Sequence, residues 1–424
     1  MGIRYRLTLM NFLQFFIWGS WLISIGGYLG GTLHFTGLEI GSVFSTLGIA
    51  SLFMPAVMGI IADKWINAEK LLGMCHLIGA TLLLWASTIT SPVIFFYVML
   101  LNSMFYMPTI ALNSTVSYVV LKQNGNDVVK DFPPIRVWGT IGFIAAMWVV
   151  DLFGWKSSSM QLIFSSMSSL VLGSYAFTMP SCKPEISHQK KTMLARFGLD
   201  ALVLFKQKKM AVFFLFAMFL GAALQITNAF GGSFLESFNI THPGTFGVKH
   251  PIVLLSISQM SETLFILTIP FFLHRFGIKR VMLISMFAWV LRFSLFGIGN
   301  PGGGLYLLIL SMVVYGMAFD FFNISGSLFV ETEAEPRIRA SAQGLFMIMT
   351  NGFGAFIGGI ASGWVVDYFT SGNIRDWQSI WFVFAGYALV LGIIFPLVFR
   401  YKHENRAVKT AKAELAADKA TFRP

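Results

Sequence analysis

The chain has 424 residues, 56% hydrophobic and 12% charged, with 44 Phe and a formal net charge of +11. Soluble domains carry about 25% charged residues, so this composition excludes a soluble enzyme or nucleic-acid-binding domain and places the chain in a membrane. The apolar runs are long and continuous, which makes the spans helices and excludes an outer-membrane barrel.

The chain opens Met-Gly-Ile-Arg-Tyr-Arg and runs into an apolar stretch, as an uncleaved first span does. A signal peptide has a shorter apolar core and a small-residue cleavage site. Gly2 also lacks the Ser or Thr at position six of a myristoylation signal. Apolar runs at about 8–30, 38–62, 69–89, 92–119, 133–153, 160–179, 211–235, 251–273, 279–299, 304–330, 340–367 and 377–399 predict twelve spans. Seven Lys and Arg fall in 181–209 and seven in the tail from Arg400, with more at 63–70, 122–130, 274–280 and 336–339. The opposite loops hold only Lys156, Lys249 and Arg375, so the positive-inside rule puts both termini in the cytoplasm. Part of 181–209, Met193–Phe205, mixes apolar residues with Arg196 and Asp200, as a helix lying on the membrane surface does. Cys75 and Cys182 form no disulfide framework and no metal site. Asn239-Ile-Thr241 matches a glycosylation sequon only by chance, unless the host has a secretory pathway.

A weak internal repeat divides the chain. Asp63-Lys64 after span 2 answers His274-Arg275 after span 8, and Asn113 in span 4 answers Asn323 in span 10. Pro133-Pro134-Ile135-Arg136 and Pro336-Arg337-Ile338-Arg339 open spans 5 and 11 alike. Three matches in register predict duplicated six-helix halves, the organisation of alternating-access transporters. The expected units are residues 1–180, a six-helix bundle; 181–209, a cytoplasmic linker; 210–400, a second bundle; and 401–424, a cytoplasmic tail. Small-residue seams at Gly26/Gly30, Gly27/Gly31, Gly354/Gly358 and Gly359/Gly363 let helices approach closely. Gly59-Ile-Ile-Ala-Asp63-Lys64 resembles the loop motif after span 2 of the major facilitator superfamily, with Lys64 in place of Arg.

The polar residues inside the spans carry the function. Asp320 sits near the middle of the run from Tyr306 to Val330, where a carboxylate costs at least about 2.5 kcal/mol, so it must face a cavity or a partner. Gln225 and Asn228 share one face of span 7, and Gln259 and Glu262 one face of span 8 near Ser256, Ser258 and Ser261. Arg136, Thr140 and Phe143 form a stripe on span 5, Tyr315, Phe319, Asp320 and Asn323 lie on span 10, and Asn11, Gln14 and Trp18 follow similar spacing on span 1. Carboxylates accept hydrogen bonds from a diol, amides pair with the edge of a nucleobase, and aromatic rings stack on a flat heterocycle. The set therefore suits a neutral solute with an aromatic and a polyhydroxylated end, and a free sugar meets many of the same demands. Taking a carboxylate out of water favours its protonated form, and solute binding at Glu262 or Asp320 would shift that balance, which is thermodynamic coupling. Nothing supplies an obvious oxygen cage for sodium, and no phosphate-binding loop for ATP is present.

Four longer motifs make the chain recognisable: 132–140 (Phe-Pro-Pro-Ile-Arg-Val-Trp-Gly-Thr), 224–228 (Leu-Gln-Ile-Thr-Asn), 256–270 and 319–327 (Phe-Asp-Phe-Phe-Asn-Ile-Ser-Gly-Ser). They resemble the bacterial nucleoside:proton symporter family, the nucleoside permease branch of the major facilitator superfamily, and the resemblance runs from about Asn11 to Lys402. It implies an all-α integral membrane protein of twelve transmembrane helices in two pseudo-symmetric halves, in the bacterial inner membrane. The implied activity is proton-coupled uptake of nucleosides, purine or pyrimidine, by rocker-switch alternating access, with no enzyme activity and no cofactor or metal. The site positions that the resemblance implies are Arg136, Thr140, Phe143, Gln225, Asn228, Gln259, Glu262, Tyr315, Phe319 and Asp320, with proton coupling at Glu262 and Asp320. Arg136 stands near the cytoplasmic end of span 5, where it is either a gate, an acid's partner or a solute contact. The rival expectations are a proton-coupled transporter of xanthosine or a sugar, and a nucleoside-sensing receptor without net transport. The expected partners are nucleosides, protons and membrane lipid, with no nucleic acid, and the expected state is a monomer.

Overall fold

The computed structural model describes residues 2–184, 199–372 and 374–401. Among these, nine helices are long and apolar enough to cross a membrane. One of them, Pro251–Ile298, turns at Gly277, whose φ of 74° suits a residue without a Cβ, and so forms two rods. The first and sixth helices, Ile3–Gly19 and Met160–Ala176, have 17 residues each and complete the expected set of twelve.

We number them α1 (Ile3–Gly19), α2 (Gly37–Lys64), α3 (Ala68–Ala86), α4 (Pro92–Gln123), α5 (Val128–Leu152), α6 (Met160–Ala176) and α7 (Lys208–Ser237). After α8 (251–276) and α9 (278–298) come α10 (Leu305–Glu333), α11 (Arg339–Tyr368) and α12 (Trp377–Val398). Local chemistry sets several ends. Thr36 and Glu39 close a capping box at the start of α2, with Thr36 Oγ1 accepting from the Glu39 N–H at 3.2 Å and Glu39 Oε2 accepting from the Thr36 N–H at 2.8 Å. Asp376 caps α12 by accepting from the Ser379 N–H and hydroxyl, which holds its carboxyl below the usual carboxylate range. α1 is extended by a short turn at Ile25–Gly27 and a π-helical turn at Tyr28–Thr32. A second π-helical stretch, Ile348–Gly354, interrupts α11.

Two boundaries differ from expectation. α5 starts at Val128 and runs through Pro133 and Pro134, because Asp127 accepts from the Val129 N–H at 2.9 Å and nucleates the helix earlier. The prolines therefore lie inside α5 and do not open it. Residues Leu199–Lys206 form a 3-10 helix; the rest of the predicted surface helix and the tail from 402 lie outside the described residues.

The neighbour pattern repeats. α1 packs on α5 as α7 packs on α11, α2 on α4 as α8 on α10, and α3 on α6 as α9 on α12. The two sets meet through α2 with α11, α5 with α8 and the α1 extension with α7. Glycine makes the first of these possible. A Cβ on Gly41 would run into the Gly359 carbonyl, and one on Gly363 into the Gly37 carbonyl. The other half of the same α11 seam, Gly354 and Gly358, lies against Gly221 and Ala222 of α7. The predicted seams thus hold α11 against both sets, and Gly26 brings the α1 extension against Ala229 of α7.

Among the described residues, the cross-set hydrogen bonds lie on the side away from the chain ends. Asp367, at the end of α11, accepts from the Gly37 N–H at 2.5 Å and the Leu38 N–H at 2.8 Å, at the start of α2. Asp151, at the end of α5, accepts from the Ile252 N–H at 3.1 Å and the Val253 N–H at 2.9 Å, at the start of α8. α5 and α11 are repeat mates, as are α2 and α8. Each set thus places a carboxylate on the free N–H groups and positive dipole end of a helix in the other. Trp148 Nε1 adds a bond to Ser256 Oγ at 2.9 Å, and Lys156 bonds both Asp151 and the Lys249 carbonyl. This side is closed.

Candidate solute site at the centre of the bundle

The middle of the bundle gathers side chains from α1, α5, α7, α8, α9 and α10. On the α10 wall, Tyr315 is buried and stacks on Phe319, with centroids 6.1 Å apart and planes 9° apart, because four residues on a helix share one face. Trp289 of α9 meets Tyr315 edge-on at 6.1 Å. On the opposite wall Phe143 is buried and meets Trp18 edge-on at 6.2 Å. Trp18 also lies 5.7 Å from Tyr106. Each wall therefore offers aromatic surface.

Several buried polar atoms on these helices lack partners. Asp320 is 3% exposed and its Oδ2 has no hydrogen-bond partner. Gln225 Oε1 and Trp18 Nε1 are also buried without partners. An unpaired polar atom costs about 1–3 kcal/mol in a protein interior, so each of these has room in its bonding for a partner that the protein does not supply. Glu262 on α8 is half-buried and lies within electrostatic reach of both Arg136 across the gap and Asp320 beside it. No ion pair within 4 Å joins any of these three among the described residues. Gln259, one turn before Glu262, lies on the same cavity wall as Tyr315. Asn228, Gln259 and Tyr315 line one small cavity of about 20 Å³, room for a water, together with Thr227, Ser258 and Arg292. Phe319 lines a second, of about 10 Å³, with Asn323, Thr350 and Asn351.

Arg136 is half-buried, with its guanidinium carbon 4.0 Å from the Phe15 ring centroid. Because α5 begins at Val128, Arg136 lies eight residues into the helix, about 12 Å of rise from its end. Thr140 is one turn deeper and half-buried, and Phe143 follows.

The α1 stripe behaves differently from expectation. Asn11 Nδ2 donates to the Leu7 carbonyl at 3.0 Å and to Ser117 Oγ at 3.1 Å, while its oxygen accepts from Asn113 at 2.8 Å. Gln14 donates to Thr109 Oγ1 at 2.7 Å, and its oxygen lies 2.9 Å from His76 Nε2. These amides are consumed in holding α1 to α3 and α4, and of the stripe only Trp18 reaches the centre. Asn113 and Asn323, matched in the repeat, share no role: the first is helix glue and the second lines a cavity.

Sequence reasoning missed Arg292. It is 2% exposed, lines the first cavity, donates to the Ser311 carbonyl at 3.0 Å, and sits 4.5 Å from the Tyr315 ring centroid. The signal was present: an arginine in the middle of the apolar run 279–299, well past the Lys279-Arg280 that opens it, is as costly there as Asp320 is in α10. Among the described residues, no group of three or more His, Cys, Asp or Glu stands close enough to hold a metal ion.

Comparison with known proteins adds four findings. Residues 1–404 match the family described as nucleoside H+ symporter. The chain is 56% identical over 414 residues to xanthosine permease of Escherichia coli (strain K12), covering 96% of this chain and 99% of that one. It is 53% identical over 406 residues to nucleoside permease NupG of the same organism, covering 95% and 97%. A crystal structure of nucleoside transporter NupG superposes with a TM-score of 0.90, covering 95% of this chain and all of that one.

Proposed function

The chain belongs to the nucleoside H+ symporter family, and we propose that it imports nucleosides together with protons by alternating access around the central site. It is a multi-pass membrane transporter of the major facilitator type. The observation that carries the mechanism is Asp320: a buried carboxylate with an unmet oxygen, beside Glu262, between two aromatic walls. A ribose diol satisfies the acids, amides at 225, 228 and 259 read polar atoms, and Phe143 and Phe319 stack on the ring. Either acid then gains or loses a proton as the solute arrives, which links the two fluxes.

In this reading the side carrying the chain ends is the cytoplasm of a bacterial inner membrane, the two helix sets are the expected halves divided at 181–209, and the working unit is a monomer. In this reading the far-side contacts are the outer gate in its closed position. Import then requires that the Asp367 and Asp151 contacts break and re-form each turn. Asp367→Ala removes two charged hydrogen bonds, each worth about 1.5–3 kcal/mol, and is expected to shift the balance toward the outward-open state by about 100-fold or more. Cysteine labelling from the far side checks this: faster labelling of a reporter behind the latch is expected, and an unchanged rate removes Asp367 from the gate.

The aromatic walls give a separate prediction. Phe319→Ala loses a stacking face worth about 1–3 kcal/mol for a base and should raise the KM for uridine by about 10–100-fold. Phe319→Tyr should keep it. A concentrating uptake assay in proteoliposomes tests the whole reading. Labelled nucleoside should exceed its outside concentration under an imposed proton gradient and fall to equality with a protonophore. A receptor would stop at binding stoichiometry.

A further inference from the structure

A guanidinium offers five N–H donors and no acceptor, so it demands oxygen or nitrogen lone pairs from its surroundings. Arg292 meets only part of this demand. Its Nη1 donates to the Ser311 carbonyl at 3.0 Å and to Ser258 Oγ at 3.4 Å, which ties α9 to α10 and α8. Its Nε is buried without a partner. No carboxylate lies within 4 Å of it among the described residues. Tyr315 and Phe296, with ring centroids 4.5 and 5.0 Å away, offset some of the burial through their π faces but accept no N–H in the ring plane. A purely structural arginine would explain the Nη1 bonds. It would not explain a free donor on a side chain that lines the cavity shared with Asn228, Gln259 and Tyr315.

We propose that Arg292 reads a carbonyl oxygen on the heterocycle of the solute, so that oxo-bases such as uracil or hypoxanthine are the favoured class; this rests on the nucleoside reading above. The division of labour follows from donor and acceptor types. Glu262 and Asp320 are acceptors when ionised and take ribose hydroxyls, but an ionised acid repels a carbonyl. Asn228 and Gln259, beside Arg292 on the cavity wall, carry both a donor and an acceptor and match the adjacent N–H and C=O of a lactam. An amino group in place of the carbonyl would point a donor at a donor and leave the guanidinium unpaired.

The test compares inosine with purine riboside, which lacks the base oxygen and carries N1 as an acceptor in place of the lactam N–H, on the full-length protein in proteoliposomes. Wild type is expected to bind inosine about 10–100-fold more tightly, as a charged hydrogen bond implies. Arg292→Met should erase that preference by weakening inosine alone, with purine riboside changing less than about threefold, the transfer of a neutral contact. Arg292→Lys, which keeps the cation above Tyr315 but loses the planar fork, should fall between. Parallel loss for both nucleosides in the variants would make Arg292 structural and overturn the proposal. If Arg292→Met does not fold, wild type still decides, because equal affinity for the two nucleosides overturns it. A wild type that concentrates neither, yet moves another solute, overturns the nucleoside reading itself and this inference with it.

Discussion

Asp320→Asn is expected to abolish accumulation of nucleoside against its gradient while leaving the protein folded. Asn is nearly isosteric and keeps one acceptor, so the packing of Tyr315, Phe319 and Phe321 around position 320 survives. What it loses is the charge and the proton. A hydroxyl bound to a carboxylate contributes about 1.5–3 kcal/mol, so affinity should fall about 10–100-fold. The larger effect is on coupling, because an amide cannot carry a proton between the two faces. Facilitated exchange down a gradient should persist at high solute, and the accumulation ratio should fall to one. Glu262→Gln separates the two acids. If Glu262 is the solute contact and Asp320 the carrier, Glu262→Gln raises KM with coupling intact; the reverse pattern exchanges the roles. Counterflow and accumulation measured on the same vesicles read the two effects independently.

Gly41→Val should stop turnover by about 100-fold or more through the gate rather than the site. A Cβ at position 41 would overlap the Gly359 carbonyl, and backbone cannot move aside as a side-chain tip can. Overpacking of this kind costs about 1–3 kcal/mol where neighbours relax and more where they cannot. The state with α2 and α11 apart has no such clash, so the variant should rest open on the far side. It should still bind nucleoside from outside, with near-normal affinity, because position 41 is remote from the aromatic walls. Loss of both binding and transport would mean that the seam is needed for folding rather than for closure.

Much of this was legible in the sequence. Twelve runs of apolar residues and the distribution of Lys and Arg depend only on the bilayer, and the helices follow them closely. The small-residue seams were legible as close approaches, but not as contacts between the two sets, because a helix pattern does not name its partner. Gly359 against Gly41 is a fact of tertiary packing. In the candidate site the structure brings together the polar faces of α7, α8 and α10, where amides and acids repeat at three- and four-residue spacing. The same spacing misled on α1. Asn11 and Gln14 lie on a polar stripe, yet Asn113, Ser117, Thr109 and His76 on α3 and α4 satisfy them. Spacing shows which side chains share a face and not what that face meets. Arg292 escaped because it stands among Val, Leu and Phe, with no polar residue three or four positions away to form a pattern. Cost at depth, rather than pattern, was the sign to read.

The most direct measurement is proton flux driven by nucleoside alone. Purified protein in vesicles carrying an internal pH dye is given uridine or inosine with no imposed gradient. Coupled symport predicts an immediate acidification of the lumen that scales with nucleoside uptake and is lost in Asp320→Asn. Nucleoside uptake without any proton movement would contradict the coupling through Glu262 and Asp320 and leave a facilitator or another driving ion.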